Sequence, residues 1–161
     1  MGLNYYFSTE VGCDSRGGML KTTSRHLTMT VWEQTEMDRG VNWDGLGKNL
    51  LHFKERYNDP ELYVTENGCA ALDVPDENGF VQKDERIDYI RHHLKACHEA
   101  IQEGVRLKGY YAWSLLDNFK WSNGCRSRFG IIRVDYETLK RIPKASYYWY
   151  RGVIARNGLM E

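Results

Sequence analysis

The sequence predicts an α/β fold built on parallel strands. Three observations carry that expectation. Short strand-forming runs alternate with longer stretches of helical apolar spacing. Each strand run is followed by a long polar loop. Each helix returns to the next strand by a short connection. Alternation of this kind implies right-handed crossovers between parallel neighbours, with the long loops gathered on one face, as in a (β/α) barrel. Only three strand–helix units can be counted, and closure needs about eight strands. The expected fold is therefore an incomplete barrel with two open sheet edges and an uncovered inner face. The chain reads as a fragment, or as one part of an assembly.

The elements follow in order. Gly2 to Phe7 reads as a buried strand. Residues 8–42 read as a long irregular connection with Gly12, Gly17, Gly18 and Gly40, holding a short strand at Thr28-Met-Thr-Val-Trp32. Trp43 to Tyr57 is helical, since Leu46, Leu50, Phe53 and Tyr57 share one face. Asn58-Asp59-Pro60 stops it. Leu62 to Thr65 is a strand, with Glu66 at its end and Asn67-Gly68 marking a turn. A second loop, residues 67–82, leads to a helix capped by Asp84, striped by Ile87, Ile90, Leu94, Cys97 and Ile101, and ended by Gly104. Lys108 to Trp113 is the third strand, followed by the loop Ser114 to Gly130. Ile131 to Asp135 is a short strand. The last helix begins near Pro143, with Ala145, Trp149 and Val153 inward.

Composition narrows the partners. The 161 residues include 22 basic and 22 acidic side chains, a balance that argues against nucleic acid and anionic membrane. No apolar run approaches the ~20 residues of a membrane span. Met1 leads straight into Gly-Leu-Asn-Tyr-Tyr-Phe, without the pattern of a secretory leader. Cys13, Cys69, Cys97 and Cys125 lack any C-x-x-C spacing and read as thiols of a reducing compartment, hence a cytoplasmic location. His92, His93 and His98 share a predicted helix, but no ligand spacing supports a metal there. No metal and no cofactor are expected. Aromatic residues make up 13% of the chain, with eleven Tyr and five Trp; such rings suit sugar faces as well as cores.

Glu66 is the candidate centre. A carboxylate at the end of a buried strand is costly unless it is paired, hydrogen-bonded or functional. In α/β folds the C-terminal strand ends are where chemistry gathers. The alternative is an acid that opens a solvated loop.

Four ordered motifs decide between them. Tyr63-Val-Thr-Glu-Asn-Gly68, Trp113-Ser-Leu-Leu-Asp-Asn-Phe119, Trp121-Ser-Asn-Gly124 and Arg128-Phe-Gly-Ile-Ile132 are followed by Val134-Asp-Tyr136 and Pro143-Lys-Ala-Ser146. Together they resemble the C-terminal third of a family 1 glycoside hydrolase, the β-glucosidase and 6-phospho-β-glycosidase group. The resemblance spans nearly the whole chain. It implies units six to eight of a (β/α)8 TIM barrel, so that residues 1–161 are the C-terminal portion of one catalytic domain. It implies retaining hydrolysis of β-linked sugars, with Glu66 as nucleophile and Tyr6 orienting it. Asn4 belongs to the same Asn-Tyr-Tyr motif. Trp113 matches the tryptophan under the glycone ring, Trp121 one whose indole N–H meets a sugar hydroxyl, and Phe129 a wall near the sugar's 6-position. Asp117, Asn118 and Asn123 are expected to hold their loop.

Three departures limit the resemblance. The family's acid/base lies in a Thr-x-Asn-Glu-Pro motif, and no Asn-Glu-Pro occurs here. The chain alone is therefore expected to be inactive, with the missing N-terminal barrel units as its natural complement. Lys120 stands where the family has a hydroxyl-binding Glu, and lysine only donates. Arg39 stands where the family places a Trp on the leaving-group side. Both add positive charge at the sugar-binding surface, through adaptation to an anionic sugar or through sequence drift, and drift is the simpler account. The cation and tyrosine of the family's 6-phosphoglycosidases are absent, since Ser127 and Phe129 occupy those positions. The expected substrate is a β-glucoside or related sugar. A non-catalytic fragment that self-associates through its open edges is the alternative.

Overall fold

The structure is a computed structural model that describes residues 1–27 and 40–159. Its elements are β1 (Gly2–Asn4), β2 (Ser8–Cys13), β3 (Thr22–Leu27), α1 (Trp43–Arg56), β4 (Leu62–Asn67), α2 (Asp84–Gln102), β5 (Leu107–Ala112), a 3-10 turn at Trp121–Asn123, β6 (Ile132–Val134), β7 (Arg141–Pro143) and α3 (Ala145–Arg156).

The central sheet has the order β1-β4-β5, with both pairings parallel. Leu62 and Val64 alternate onto its helix-facing side and are fully buried. There they meet Leu46 and Leu50 of α1, Cys97 and Ala100 of α2, Val105 and Tyr5. A second cluster joins Ile87, Tyr89 and Ile90 of α2 to Trp149 and Val153 of α3. Thr65 and Tyr111 point to the opposite side and are exposed. The uncovered inner face and the incomplete sheet are thus as the alternation pattern predicts, and the described residues form no closed barrel.

Several boundaries differ from expectation. β1 ends at Asn4, not Phe7, because its register with β4 shifts between Leu3 and Asn4. Residues 8–27 form an antiparallel hairpin, β2 with β3, rather than an irregular loop. Its strands, Ser-Thr-Glu-Val-Gly-Cys and Thr-Thr-Ser-Arg-His-Leu, carry no apolar alternation to announce them; residues 14–21 are the turn, closed by the Asp14 N–H on the Lys21 carbonyl. The strand expected at Thr28–Trp32 lies outside the described residues. β6 pairs antiparallel with an unexpected partner, β7. Asp84 is the first residue of α2 and not its cap; Lys83 holds that place without a side-chain capping bond. Ile101 is 42% exposed, and Ala100 fills the inward position instead. Gly104 does terminate the segment, with φ of +84° and its N–H bonded to the Ile101 carbonyl.

A buried ionic cluster fastens the loops to this frame. Asp117, 4% exposed, accepts from Lys144 Nζ (2.9 Å), Arg128 Nη1 (3.2 Å), the Gly130 N–H (2.9 Å) and the Val134 N–H (3.3 Å). Lys144 also binds Asp73, which pairs with Arg86 at 2.9 Å. Arg86 reaches the Arg128 carbonyl at 2.8 Å. Burial pulls the Lys144 ammonium below its ordinary pKa, with Arg86 adding to the effect and Asp73 and Asp117 opposing it. Of the three residues expected to hold this loop, Asp117 does so as above, and Asn118 Nδ2 donates to Ser114 Oγ (3.0 Å) and the Leu116 carbonyl (3.2 Å); Asn123 takes part through its backbone, its N–H donating to the Lys120 carbonyl at 2.9 Å.

Two stability predictions arise from buried groups. Asp117→Ala removes one of the two carboxylates on buried Lys144 and the carboxylate on Arg128, so urea unfolding should show a loss of about 3–5 kcal/mol. Asp44→Ala, which breaks the exposed Asp44–Lys48 pair, should cost less than about 1 kcal/mol. The second concerns His93, fully buried, whose Nδ1–H donates to the Tyr89 carbonyl at 2.7 Å. Burial depresses its pKa to about 4, against ~6.5 for an unfolded histidine. Between those values the unfolded chain binds the extra proton. His93 therefore costs nothing above the unfolded pKa and removes about 3 kcal/mol as pH falls to the folded one. His93→Gln should flatten that part of the pH dependence of the urea midpoint.

Candidate active site

Glu66 lies near the C-terminal end of β4, opposite Asn4 of β1. Its carbonyl accepts the Tyr5 N–H at 2.9 Å. Its carboxylate accepts from Tyr6 Oη, with Oε2 at 2.6 Å. That length is typical of a charge-assisted O–H···O⁻ bond. Tyr6 therefore engages Glu66 through its hydroxyl. Asn4 does not meet the carboxylate; its Oδ1 accepts from Thr65 Oγ1 at 2.6 Å on the exposed face.

The loop after β5 supplies the rest. Trp113 N–H donates to the Asn67 carbonyl at 2.8 Å, so the two strand ends are joined directly beside Glu66. Gly68 is required for that approach. A Cβ there would lie 1.7 Å from the Trp113 carbonyl oxygen. Phe129 is buried and packs edge-on to Tyr6, with centroids 6.3 Å apart. Its carbonyl receives the Ser114 N–H at 3.3 Å, which folds the far end of the loop back to the strand. Lys120 Nζ lies 5.2 Å from the Tyr6 ring centroid, 5.2 Å from that of Trp113 and 4.6 Å from that of Phe129. Three ring faces thus surround one ammonium, and Lys120 is 9% exposed.

The structure gathers Glu66, Tyr6, Trp113, Phe129 and Lys120 into one cluster. Trp121 is not part of it: it sits in the 3-10 turn, 81% exposed, with no ring contact to the others among the described residues. Arg39 lies outside the described residues. Chemically, the cluster holds a carboxylate under a phenol donor, beside an aromatic surface and a cation.

Sequence reasoning missed the residues behind this cluster. Asn67 reads as a turn marker, yet it is completely buried. Its Nδ2 donates to the Tyr5 carbonyl (2.7 Å) and Tyr89 Oη (3.1 Å), and its Oδ1 accepts from Tyr110 Oη. The one local signal is that Asn67 precedes the glycine of a strand end. Tyr89 is hidden within the apolar stripe of α2, and the Asp73–Arg86–Lys144 cluster joins positions far apart in sequence.

Known proteins resemble the chain along nearly its whole length. Residues 1–159 match the family described as Glycosyl hydrolase family 1. Beta-glucosidase A of Thermotoga maritima is 46% identical over 162 residues, a match covering 100% of this chain and 35% of that protein. The 6-phospho-beta-galactosidase of Leptotrichia buccalis is 39% identical over 171 residues, covering 95% of this chain and 36% of its own length. The solved family 1 β-glucosidase from Thermotoga maritima superposes with a TM-score of 0.92 over 99% of this chain and 35% of that one. The same enzyme in complex with castanospermine gives a TM-score of 0.90. The chain spans about a third of the length of the relatives it matches. Along nearly all of that span sequence and backbone agree, and the chain belongs to glycosyl hydrolase family 1.

Proposed function

We propose that this chain supplies the nucleophile half of a retaining β-glycosidase. The observation that carries the reading is the 2.6 Å bond from Tyr6 Oη to Glu66 Oε2 at the end of a parallel strand. In the reaction a Glu66 carboxylate oxygen attacks the anomeric carbon while the bond to the aglycone oxygen breaks. The departing oxygen takes a proton from a second carboxyl ~5–5.5 Å from the first. Water then hydrolyses the glycosyl ester, and the second carboxyl takes its proton. The Tyr6 donor stabilises the ionised nucleophile and fixes its orientation. Trp113 offers an indole face to the sugar's C–H surface.

The second carboxyl is to come from outside these residues, since the sequence contains no Asn-Glu-Pro. We assign residues 1–161 to units six to eight of a (β/α)8 domain. The exposed Thr65 and Tyr111 on the inner face support completion by N-terminal units. The substrate class is a β-glucoside or a close relative. Four free cysteines favour the cytoplasm as its compartment.

Co-expression with the N-terminal two thirds of a family 1 β-glucosidase tests this. The expected result is a complex that hydrolyses an aryl β-glucoside, while the chain alone does not. Glu66→Gln should abolish turnover. Tyr6→Phe should lower it by about 1.5–3 kcal/mol, on the order of 10- to 100-fold. A folded complex without Glu66-dependent hydrolysis rejects the assignment. Assembly of the chain only with itself would favour the non-catalytic alternative.

A further inference from the structure

The ladder between β1 and β4 ends at Asn4, and the Tyr5 N–H makes one further bond to Glu66 O. Beyond that point the backbone leaves the sheet, yet Tyr6 must hold its phenol on Glu66. Two side chains take over the successive carbonyls. Asn67 Nδ2 donates to Tyr5 O at 2.7 Å. Tyr89 Oη donates to Tyr6 O at 3.1 Å. The two are themselves joined, Asn67 Nδ2 to Tyr89 Oη, at 3.1 Å.

The directions of these bonds are fixed by chemistry. A carbonyl only accepts, so Asn67 must turn its NH₂ toward Tyr5, which leaves Oδ1 for Tyr110 Oη. Tyr6 O likewise requires the Tyr89 proton, and the Tyr89 oxygen is left to accept from Asn67. Tyr89 is 2% exposed, and its ring stacks on His93 with centroids 4.1 Å apart. Burial pushes its phenol well above the ordinary tyrosine pKa, which keeps the donated proton in place.

We infer that Tyr89, on α2, is a positioning residue for the Tyr6–Glu66 pair. It acts by fixing the Tyr6 carbonyl directly and the Tyr5 carbonyl through Asn67. The inference deepens the nucleophile assignment and rests on it for its catalytic meaning, although its geometry is independent of turnover. A short bond to a carboxylate weakens quickly as its donor is displaced, so releasing the Tyr6 backbone should loosen the phenol from Glu66.

The test uses the chain itself and does not require activity. Carbonyl ¹³C NMR reads the Glu66 Cδ resonance, assigned by its loss in Glu66→Gln. Tyr6→Phe gives the resonance position without the phenol donor. Tyr89→Phe keeps the ring and its stack on His93. It should move the Glu66 signal toward the Tyr6→Phe position and no further, and Tyr89→Phe combined with Tyr6→Phe should match Tyr6→Phe alone. Tyr150→Phe removes another core hydroxyl, bonded to the Tyr110 carbonyl at 3.2 Å, and should leave the signal in place. If Tyr89→Phe does not fold, Tyr110→Phe interrogates the same relay from the other side of Asn67 and should shift the signal likewise. An unmoved Glu66 signal in the folded relay variant, additive effects in the double variant, or an equal shift from Tyr150→Phe would overturn the inference. None of these outcomes depends on whether the complemented enzyme hydrolyses a glucoside.

Discussion

The Lys144 ammonium is the interaction on which the loop architecture depends. It is almost completely buried and bonds carboxylates from two different loops: Asp73 after β4 and Asp117 after β5. Lys144 also precedes α3, and its N–H binds the Ile131 carbonyl at 3.0 Å. One side chain therefore joins three segments that the sheet leaves separate. Desolvating a cation is expensive, and the two carboxylates offset that cost, with Asp117 itself held by the Gly130 and Val134 N–H groups. The arrangement fixes the path of residues 114–130, and with it Phe129 and Lys120. A hydrophobic core could hold the same helices together, but it would not set the path of a polar loop so narrowly.

The sequence shows the fold in proportion to how local its causes are. α1 and α2 follow from apolar spacing, and β4 and β5 from short strand-forming runs between turn signals. Glu66, Tyr6, Trp113 and Phe129 are legible because they sit in compact ordered motifs at strand ends. The β2–β3 hairpin is not, since its pairing is between polar strands whose partner lies across the turn. β6 falls within the strand expected at Ile131 to Asp135, whereas β7, at three residues, is too short to show a period. The support for Glu66 is hidden for a different reason. Asn67 looks like a turn residue and Tyr89 like core, and only their meeting at the Tyr5 and Tyr6 carbonyls reveals their part.

Lys120 gives the cluster a character that the carboxylate and aromatics alone would lack. Its ammonium lies over Tyr6, Trp113 and Phe129, which come from both ends of the sheet edge region: the end of β1 and the loop after β5. The ring faces offset part of its desolvation, and their positions in turn are tied to its own. Because lysine has donors and no acceptor, a molecule resting on Trp113 beside it must present acceptor oxygens to that side. A sugar has such oxygens, but it also has hydroxyl protons that need acceptors of their own. Under the proposed function, Lys120 would therefore bias how a glycone orients on the Trp113 surface.

The two faces of the β1-β4-β5 sheet carry different parts of the chemistry. The helix-facing side is a finished core, and from it Asn67, held by Tyr110, and Tyr89 reach the backbone that carries Tyr6. The inner side shows exposed Asn4, Thr65 and Tyr111. The orientation of Glu66 is therefore set from within this chain, by groups packed behind the strand ends. Delivery of a proton to a leaving group is a different matter, because it needs a second carboxyl across the cleft at a set separation. That separation is a property of barrel closure and not of any one strand. In the proposed reaction, orientation of Glu66 and placement of a second carboxyl would thus be separable, the first local to the Glu66 strand and its helix, the second dependent on how the open edges are completed.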